Sequence, residues 1–345
     1  MTTTRSFFAS LLLVAAAVAI RAMPLGQAPS SWRAPAEGER WFKGNTHTHT
    51  LNSDGDSPPS VVARWYGDSG YDFLVLSDHN FLTRVEVLQD EIDRENARAK
   101  KPPFLLIPGE EVSDKHEKAA IHVNALDSSR VVGEQGGASR VEVLQRCIDA
   151  VRAAGGVPAA NHPNFGWSLS ADDLAAAKRL KHFEIFNGHP DIHNWGGGGR
   201  PSIEEMWDDL LTRGVRLFGV AVDDAHHFQR WGTRQSNPGR GWIMVHAREL
   251  TRGAVRAAFE RGDFYASTGV ELERIEFSGG ILHLAIRPRE STRYTTHFLT
   301  SGGRAAGRDV TLEPSCRLER GAGYLRARVV SSAGEFAWTQ PVFEE

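Results

Sequence analysis

The chain has 345 residues, a formal net charge of −3 and 41% hydrophobic residues, which suits one large α/β domain with a smaller module. The near-neutral charge argues against a basic nucleic-acid surface as its main business. With Cys147 and Cys316 as the only cysteines, two free thiols and no cysteine-built metal site are expected.

Residues 7–20 form an uncharged, mostly apolar run between Arg5 and Arg21. The run is shorter than the roughly 20 residues of a membrane span, and small residues follow it. It reads as a cleavable signal peptide over 1–28, with a polar linker over 29–40. Export to the periplasm or beyond the cell is therefore expected, with no membrane span after signal removal; an uncleaved anchor is the alternative. Residues 41–45 lead a strand into Asn-Thr-His-Thr-His-Thr, where His47 and His49 share one face of an extended segment. Asp54 follows in Asn-Ser-Asp-Gly. Pro58-Pro59 can open a helix whose apolar face is Val61, Val62, Trp65 and Tyr66. Residues 71–76 read as a strand buried on both faces, running out into Ser-Asp-His-Asn and His79.

A helix over 85–100 precedes a strand over 104–107, which is expected to end in Pro-Gly-Glu-Glu and so to place Glu110 and Glu111 in a loop. Residues 119–126 alternate, setting His122 and Asn124 opposite Ile121, Val123 and Ala125. The helical stripe of Val143, Leu144, Cys147, Ile148 and Val151 makes Cys147 a core residue. Strands over 157–160, 183–186 and 215–222 end in Asn161-His162-Pro163, Asn187-Gly188-His189 and Asp223-Asp224-Ala225-His226-His227. Helices are expected over 171–181 and 203–213, and the glycines 196–199 read as a loop too flexible to hold one shape. A strand over 241–247, a helix over 250–261 and a strand over 264–267 complete a strand–helix alternation of about seven units. No Gly-x-Gly-x-x-Gly follows the first strand, which argues against dinucleotide binding. From residue 270 short alternating strands over 273–277, 281–286, 295–300, 310–312 and 324–330 suggest a small antiparallel sandwich. The expected division is 41–270 for the catalytic unit and 271–345 for a β-rich accessory unit.

Polar residues thus gather at strand C-termini, where (β/α) barrels keep their chemistry. His47, His49, Asp54, His79, Glu111, His122, His162, Asp224 and His226 offer more N and O ligands than the four of a single zinc ion. Two or three divalent ions, zinc, manganese or iron, sharing bridging groups are expected. In this order the motifs His-Thr-His with Ser-Asp-Gly, Ser-Asp-His-Asn, Pro-Gly-Glu-Glu-Val-Ser, His-Val-Asn, Asn-His-Pro and Asp-Ala-His resemble the polymerase and histidinol phosphatase (PHP) superfamily of metal-dependent hydrolases. The resemblance covers about 41–270. It implies a distorted seven-stranded (β/α) barrel of PHP type, followed here by the small C-terminal β-sandwich. It also implies a first metal on His47, His49, Glu111 and Asp224, a second on Asp54, His79 and His226, and a third on Glu111, His122 and His162. Many relatives carry histidine where Asp54 stands. The family spacing selects Glu111 over Glu110 as the bridge, and leaves His116 and His227 outside the ligand set. The export segment and β-rich tail look like the branch grouped with carbaryl hydrolase.

The reading that follows is a phosphoesterase in which a metal-bridged hydroxide attacks phosphorus of a small-molecule substrate. Asp224 orients the nucleophile, and His189 contacts the substrate or protonates the leaving group; a plain turn residue is the other reading of His189. Arg230, Arg234 and Arg240 are candidates to hold phosphate. The same metals would serve a carboxylester, carbamate or amide hydrolase, for which the aromatic residues Phe81, Phe165, Trp167, Trp195, Phe228 and Trp231 would line an apolar mouth. A non-catalytic, metal-stabilised envelope-binding protein is the third reading.

Overall fold

A computed structural model describes Trp32 and residues 38–344; the expected signal segment over 1–28 and most of the linker over 29–40 lie outside the described residues. Strands β1 (Arg40–Asn45), β2 (Phe73–Leu76) and β3 (Leu105–His116) run parallel to one another. Helix α1 (Pro59–Asp68), with proline in its first turn, and α2 (Val85–Ala99) link them. They cover one face of the sheet through a cluster that includes Val62, Tyr66, Leu74, Leu76, Ile92 and Leu106.

Strand β3 departs from the sequence reading. Pro108-Gly109 looks like a turn, yet the strand passes straight through it and Glu111 lies within the strand. Pro108 sits where β3 leaves β2 and begins an antiparallel hairpin with β4 (Ala119–Leu126). Gly109 is required by close approach, because a Cβ there would lie 2.3 Å from Val75 Cγ1. The hairpin also breaks the expected run of parallel units. Strand β4 is antiparallel to β5 (Val157–Ala160), after which β6 (His182–Asn187) and β7 (Phe218–Val222) return to parallel pairing.

Helices α3 (Arg140–Ala153), α4 (Ala171–Ala176) and α5 (Ile203–Thr212) pack outside this half. Ser139, Ser170 and Ser202 cap their first turns through side-chain acceptors. Helix α4 ends earlier than expected, since Ala177 is already extended and Arg179 is left-handed. Cys147 is free and buried in this layer. Strand β8 (Trp242–Ala247) is antiparallel to β1; α6 (Arg252–Arg261) and β9 (Phe264–Ser267) follow, with β9 antiparallel to β8. Side chains from β1 to β5 and β7 to β9 join Val255, Ala258 and Phe259 of α6 in one buried cluster.

His182 of β6 lies against that cluster, stacked on Phe259 at 4.1 Å, its Nε2–H donating to the Phe259 carbonyl at 2.8 Å. Burial pushes its pKa down to about 3. A pKa depressed by folding contributes stability that is full above the unfolded value near 6.5 and is lost as pH falls towards 3. Relative to His182→Gln, the wild-type protein is therefore expected to lose about 1.4 kcal/mol per pH unit below pH 6.5. Urea melts of both proteins between pH 7.5 and 4.5 check this; parallel curves would contradict it.

The tail forms two sheets. Strands β10 (Leu272–Ser278), β11 (Ile281–Ile286) and β14 (Ser315–Arg317) make a separate antiparallel sheet. Strands β12 (Tyr294–Thr300), β13 (Arg304–Asp309), β15 (Tyr324–Ser331) and β16 (Phe336–Trp338) join the large sheet through pairing of β16 with β9, and β17 (Val342–Phe343) pairs with β15. The expected strand over 310–312 is not found. The strand falls instead on Arg304–Asp309, a largely exposed edge with no apolar alternation to announce it. The described residues thus form an α/β fold with a large mixed sheet and a small separate antiparallel sheet. No helix among the described residues is long and apolar enough to cross a membrane.

Candidate metal centre

Beyond β1 the chain bends at Thr46. Thr48 bridges Ala225 after β7, Asp224 N donates to His47 O at 3.0 Å and His49 N to Ala225 O at 2.9 Å. This lays the His-x-His segment beside the Asp-x-His segment and brings the His47 and His49 Nε2 atoms within 3.1 Å. Asp224 Oδ1 is 3.2 Å from each. Asp224 holds a left-handed backbone at φ +51°, which is costly for a non-glycine residue and is characteristic of functional sites.

Glu111 stands at the centre and is 1% exposed. Its Oε1 is 2.9 Å from His122 Nδ1, 3.1 Å from His162 Nε2 and 3.4 Å from His47 Nε2; its Oε2 is 2.8 Å from His79 Nδ1 and 3.4 Å from His49 Nε2. Asn161 Nδ2 donates to Oε1 at 2.8 Å. Glu110, one residue away and so on the opposite face, accepts from Val132 N and Gly133 N, both at 2.7 Å. The two glutamates are thereby separated into a central acid and a loop anchor.

Asp54 closes the outer side. Its carboxylate lies 3.3 Å from His226 Nε2, 3.4 Å from His79 Nε2 and 3.6 Å from His49 Nδ1. The side chain is 56% exposed, so the cluster opens to solvent here. His226 Nδ1 lies 3.0 Å from the Asp224 carbonyl; donation through Nδ1–H turns the Nε2 lone pair inward.

Three groups of potential metal ligands result: His47, His49 and Asp224; His49, Asp54, His79 and His226; and His79, Glu111 and His122. All nine expected ligands are gathered at one end of the sheet. The groups differ from the resemblance-based sets in three respects: Glu111 is missing from the first group, His49 joins the second, and His79 stands in the third where His162 was expected. His162 reaches the cluster through Glu111.

Burial alone would raise the Glu111 carboxyl, but the imidazoles of His47, His122 and His79 outweigh it and hold the acid well below the usual range. Asp224 behaves alike, burial being overcome by His47, His49 and His226. For Asp54, hydrogen bonds from His226 and His79 overcome burial and again lower the pKa. Burial would lower His79, yet Glu111 and Asp54 push it up to about 10. Burial takes His49 down to about 3, with His226 adding to the effect. Ionised acids thus face both protonated and neutral imidazoles. The residues fit divalent cations, which would displace those protons and take up the same lone pairs.

His189 lies at the edge, its ring centroid 5.5 Å from that of His226 and 6.5 Å from that of Phe165. Asp191 N donates to its Nδ1 at 3.3 Å, leaving the proton of the neutral ring on Nε2. Burial lowers its pKa, so the neutral form prevails at pH 7. The arginine expectation needs correction at Arg240, whose guanidinium donates to Gly188 O at 2.7 Å and Gly232 O at 3.2 Å. Among the aromatic residues, Phe228 is a core side chain, Phe81 and Trp231 are exposed, and Trp195 packs 5.1 Å from Phe336 of the tail. The 196–199 loop holds a defined turn with every glycine at positive φ, closed by mutual hydrogen bonds between Gly197 and Arg200 at 3.1 Å.

Sequence reasoning missed Glu184 and Asn187 on β6. Glu184 Oε1 accepts from His47 Nδ1 at 2.6 Å, and Oε2 accepts from His162 N at 2.7 Å and Asn187 Nδ2 at 2.8 Å. A lone acid inside the apolar run His-Phe-Glu-Ile-Phe-Asn was the available signal, because unpaired acids are rarely buried.

No family model matches the chain, and no curated protein matches it. Among solved structures the chain is similar to a two-domain protein from Bacteroides vulgatus containing a predicted PHP-like metal-dependent phosphoesterase, at 15% identity and TM-score 0.49, over 89% of this chain and 95% of that one. It is also similar to a putative metal-dependent phosphoesterase from Bifidobacterium adolescentis (16%, TM-score 0.36, 56% and 89%). An amidohydrolase from Chromobacterium violaceum with bound sulfate and no metal is similar at 15%, TM-score 0.35, over 54% and 88%. The class is defined by the cluster itself: three groups of potential metal ligands around a buried carboxylate, open to solvent at one edge, are those of a metal-dependent hydrolase.

Proposed function

We propose that the protein is an exported phosphoesterase of the PHP superfamily, with a distorted (β/α)7 barrel over about 41–270 and the β-rich accessory unit over 271–345. Two or three divalent ions, zinc, manganese or iron, are its cofactors, and a small-molecule phosphate ester is its substrate. By its export segment and β-rich tail we assign it to the carbaryl-hydrolase-like branch. The single observation that carries the metal-dependent hydrolase reading is the buried Glu111 carboxylate, ringed by imidazoles of His47, His79, His122 and His162 at 2.8–3.4 Å.

Bound divalent cations supply a water pKa lowered to about 7 and neutralise charge on phosphoryl oxygens. His47, His49, Glu111 and Asp224 would hold the first, Asp54, His79 and His226 the second, and Glu111, His122 and His162 the third. Asp224 directs Oδ1 at His47 and His49 while Asn187 Nδ2 holds Oδ2 at 3.0 Å. Oδ1 would thus be the oxygen left to hold a cation and to orient the attacking water. His189 presents its Nε2–H to the leaving-group oxygen as a neutral donor. His189→Phe is expected to lower kcat roughly a hundredfold, the usual cost of one preorganised donor, while His189→Gln, which retains an N–H, keeps most of it. Equal losses in both variants would remove His189 from the mechanism.

A carboxylester, carbamate or amide substrate is the second reading. It is favoured by the commitment of Arg240 to backbone carbonyls and by Phe165 packing 5.3 Å from His162. Manganese- or zinc-loaded protein offered an aryl phosphate and an aryl carbamate separates the two. Turnover of the phosphate is the expected result; turnover of the carbamate alone would discard the phosphoesterase reading.

A further inference from the structure

None of the nine expected metal ligands lies on β6, yet this strand touches three of the residues involved. Glu184 Oε1 accepts the His47 Nδ1 proton at 2.6 Å, which fixes the tautomer that leaves Nε2 free to bind a cation. Glu184 Oε2 accepts from the backbone N–H of His162 at 2.7 Å, where φ is +22°. Asn187 Nδ2 divides its two protons between Glu184 Oε2 at 2.8 Å and Asp224 Oδ2 at 3.0 Å. All four side chains are buried, and Asn187 and His47 are fully so. Backbone bonds hold the arrangement from below: His47 N donates to Asn45 Oδ1 at 2.9 Å, and Asp224 N to His47 O at 3.0 Å.

We propose that Glu184 and Asn187 form a positioning pair for one cation, the one shared by His47, His49 and Asp224. Glu184 sets His47 as an Nε2 donor. Asn187 occupies one oxygen of Asp224, so that only Oδ1 faces the cation, and couples the two settings through its shared amide. Among the described residues, the second ligand group of His49, Asp54, His79 and His226 makes no hydrogen bond to Glu184 or Asn187 and meets the pair only through His49 and Asp224 of the first group. The proposal rests on the metal-dependent reading above, and it assigns β6 the task of making one cation tighter than its neighbours.

The test uses the full chain stripped of metal and titrated with zinc against a chromogenic chelator, and with cobalt followed by its d–d absorption. Glu184→Gln places an amide N–H against the donors of His162 and Asn187; Asn187→Ala removes the link. Each variant is expected to weaken one step of the titration roughly 10–100-fold, the usual cost of losing such a partner; Asn187→Ala changes the cobalt spectrum of that ion only, and Glu184→Gln adds a smaller loss at the ion assigned to His162, whose backbone N–H it also meets. Wild-type affinity and spectrum at every step in both variants would overturn the pairing, as would an equal loss at every step, which is the mark of general structural damage. Should Glu184→Gln fail to fold, Asn187→Ala decides alone. Wild-type protein that takes up no zinc or cobalt overturns the metal-dependent reading itself, and the pairing with it.

Discussion

Glu111→Gln is expected to lower hydrolysis about a thousandfold, the upper end of the loss for one preorganised electrostatic group, and to strip more than one cation from the protein. The reason lies in what surrounds the two oxygens. Oε1 faces His122, His162, His47 and Asn161, while Oε2 faces His79 and His49. A glutamine has one acceptor oxygen and one donor group. Either orientation aims an amide N–H into a set of nitrogens that needs a carboxylate or a shared cation. Glu110→Gln is the internal control: its oxygens accept from Val132 N and Gly133 N, away from the cluster. It should cost about 1–2 kcal/mol of stability and leave turnover and metal content unchanged. Kinetics and elemental analysis on the two variants side by side give the answer. A fully active Glu111→Gln, or an inactive but folded Glu110→Gln, would reverse the assignment.

Arg326→Met is expected to cost roughly 3–5 kcal/mol of stability, the range for breaking a buried ion pair from one side. Arg326 of β15 is fully buried. Its Nε and Nη2 donate to Asp208 of α5 at 2.8 and 2.6 Å, and Nη2 lies 2.8 Å from Glu204. Tyr324 adds a hydrogen bond to Asp208 at 2.7 Å, and the guanidinium stacks 4.8 Å from the Trp207 ring centroid. Methionine fills much of the space but leaves Asp208 buried without a counter-charge, while Glu204 keeps only Arg328 at 3.0 Å. Burial would raise the Glu204 pKa, and Arg326 and Arg328 lower it. Its contribution is therefore present above the ordinary glutamate pKa and lost as pH falls below it. A drop in Tm of roughly 5–15 °C at pH 7 follows from that energy, with turnover of the remaining folded protein unchanged well below Tm. A variant that melts like the wild type would show that the tail and α5 are held by their apolar contacts alone.

Much of the centre was legible because its signals are local. A period of two places both rings of His47-x-His49 on one face, and buried apolar runs announce strands whose ends carry His79, His162 and Asp224. What escaped depends on pairing across the chain. Pro108-Gly109 has the composition of a turn, and only the neighbouring Val75 explains why a glycine continues the strand. Tyr324, Arg326 and Arg328 share the phase of a solvent-facing edge. Nothing near them in sequence shows that Asp208, 118 residues away from Arg326, covers that face. Glu184 escaped for the related reason that its partners His47 and His162 sit just beyond β1 and β5. The antiparallel placement of β4 was hidden because a hairpin leaves no helix to mark it.

The central claim is that distant histidines and acids share neighbouring divalent ions. Anomalous diffraction from crystals grown with manganese or zinc tests it most directly. The account predicts one peak among His47, His49 and Asp224 and another among Asp54, His79 and His226, with Glu111 between them. Density confined to scattered surface sites, with none inside the cluster, would contradict it.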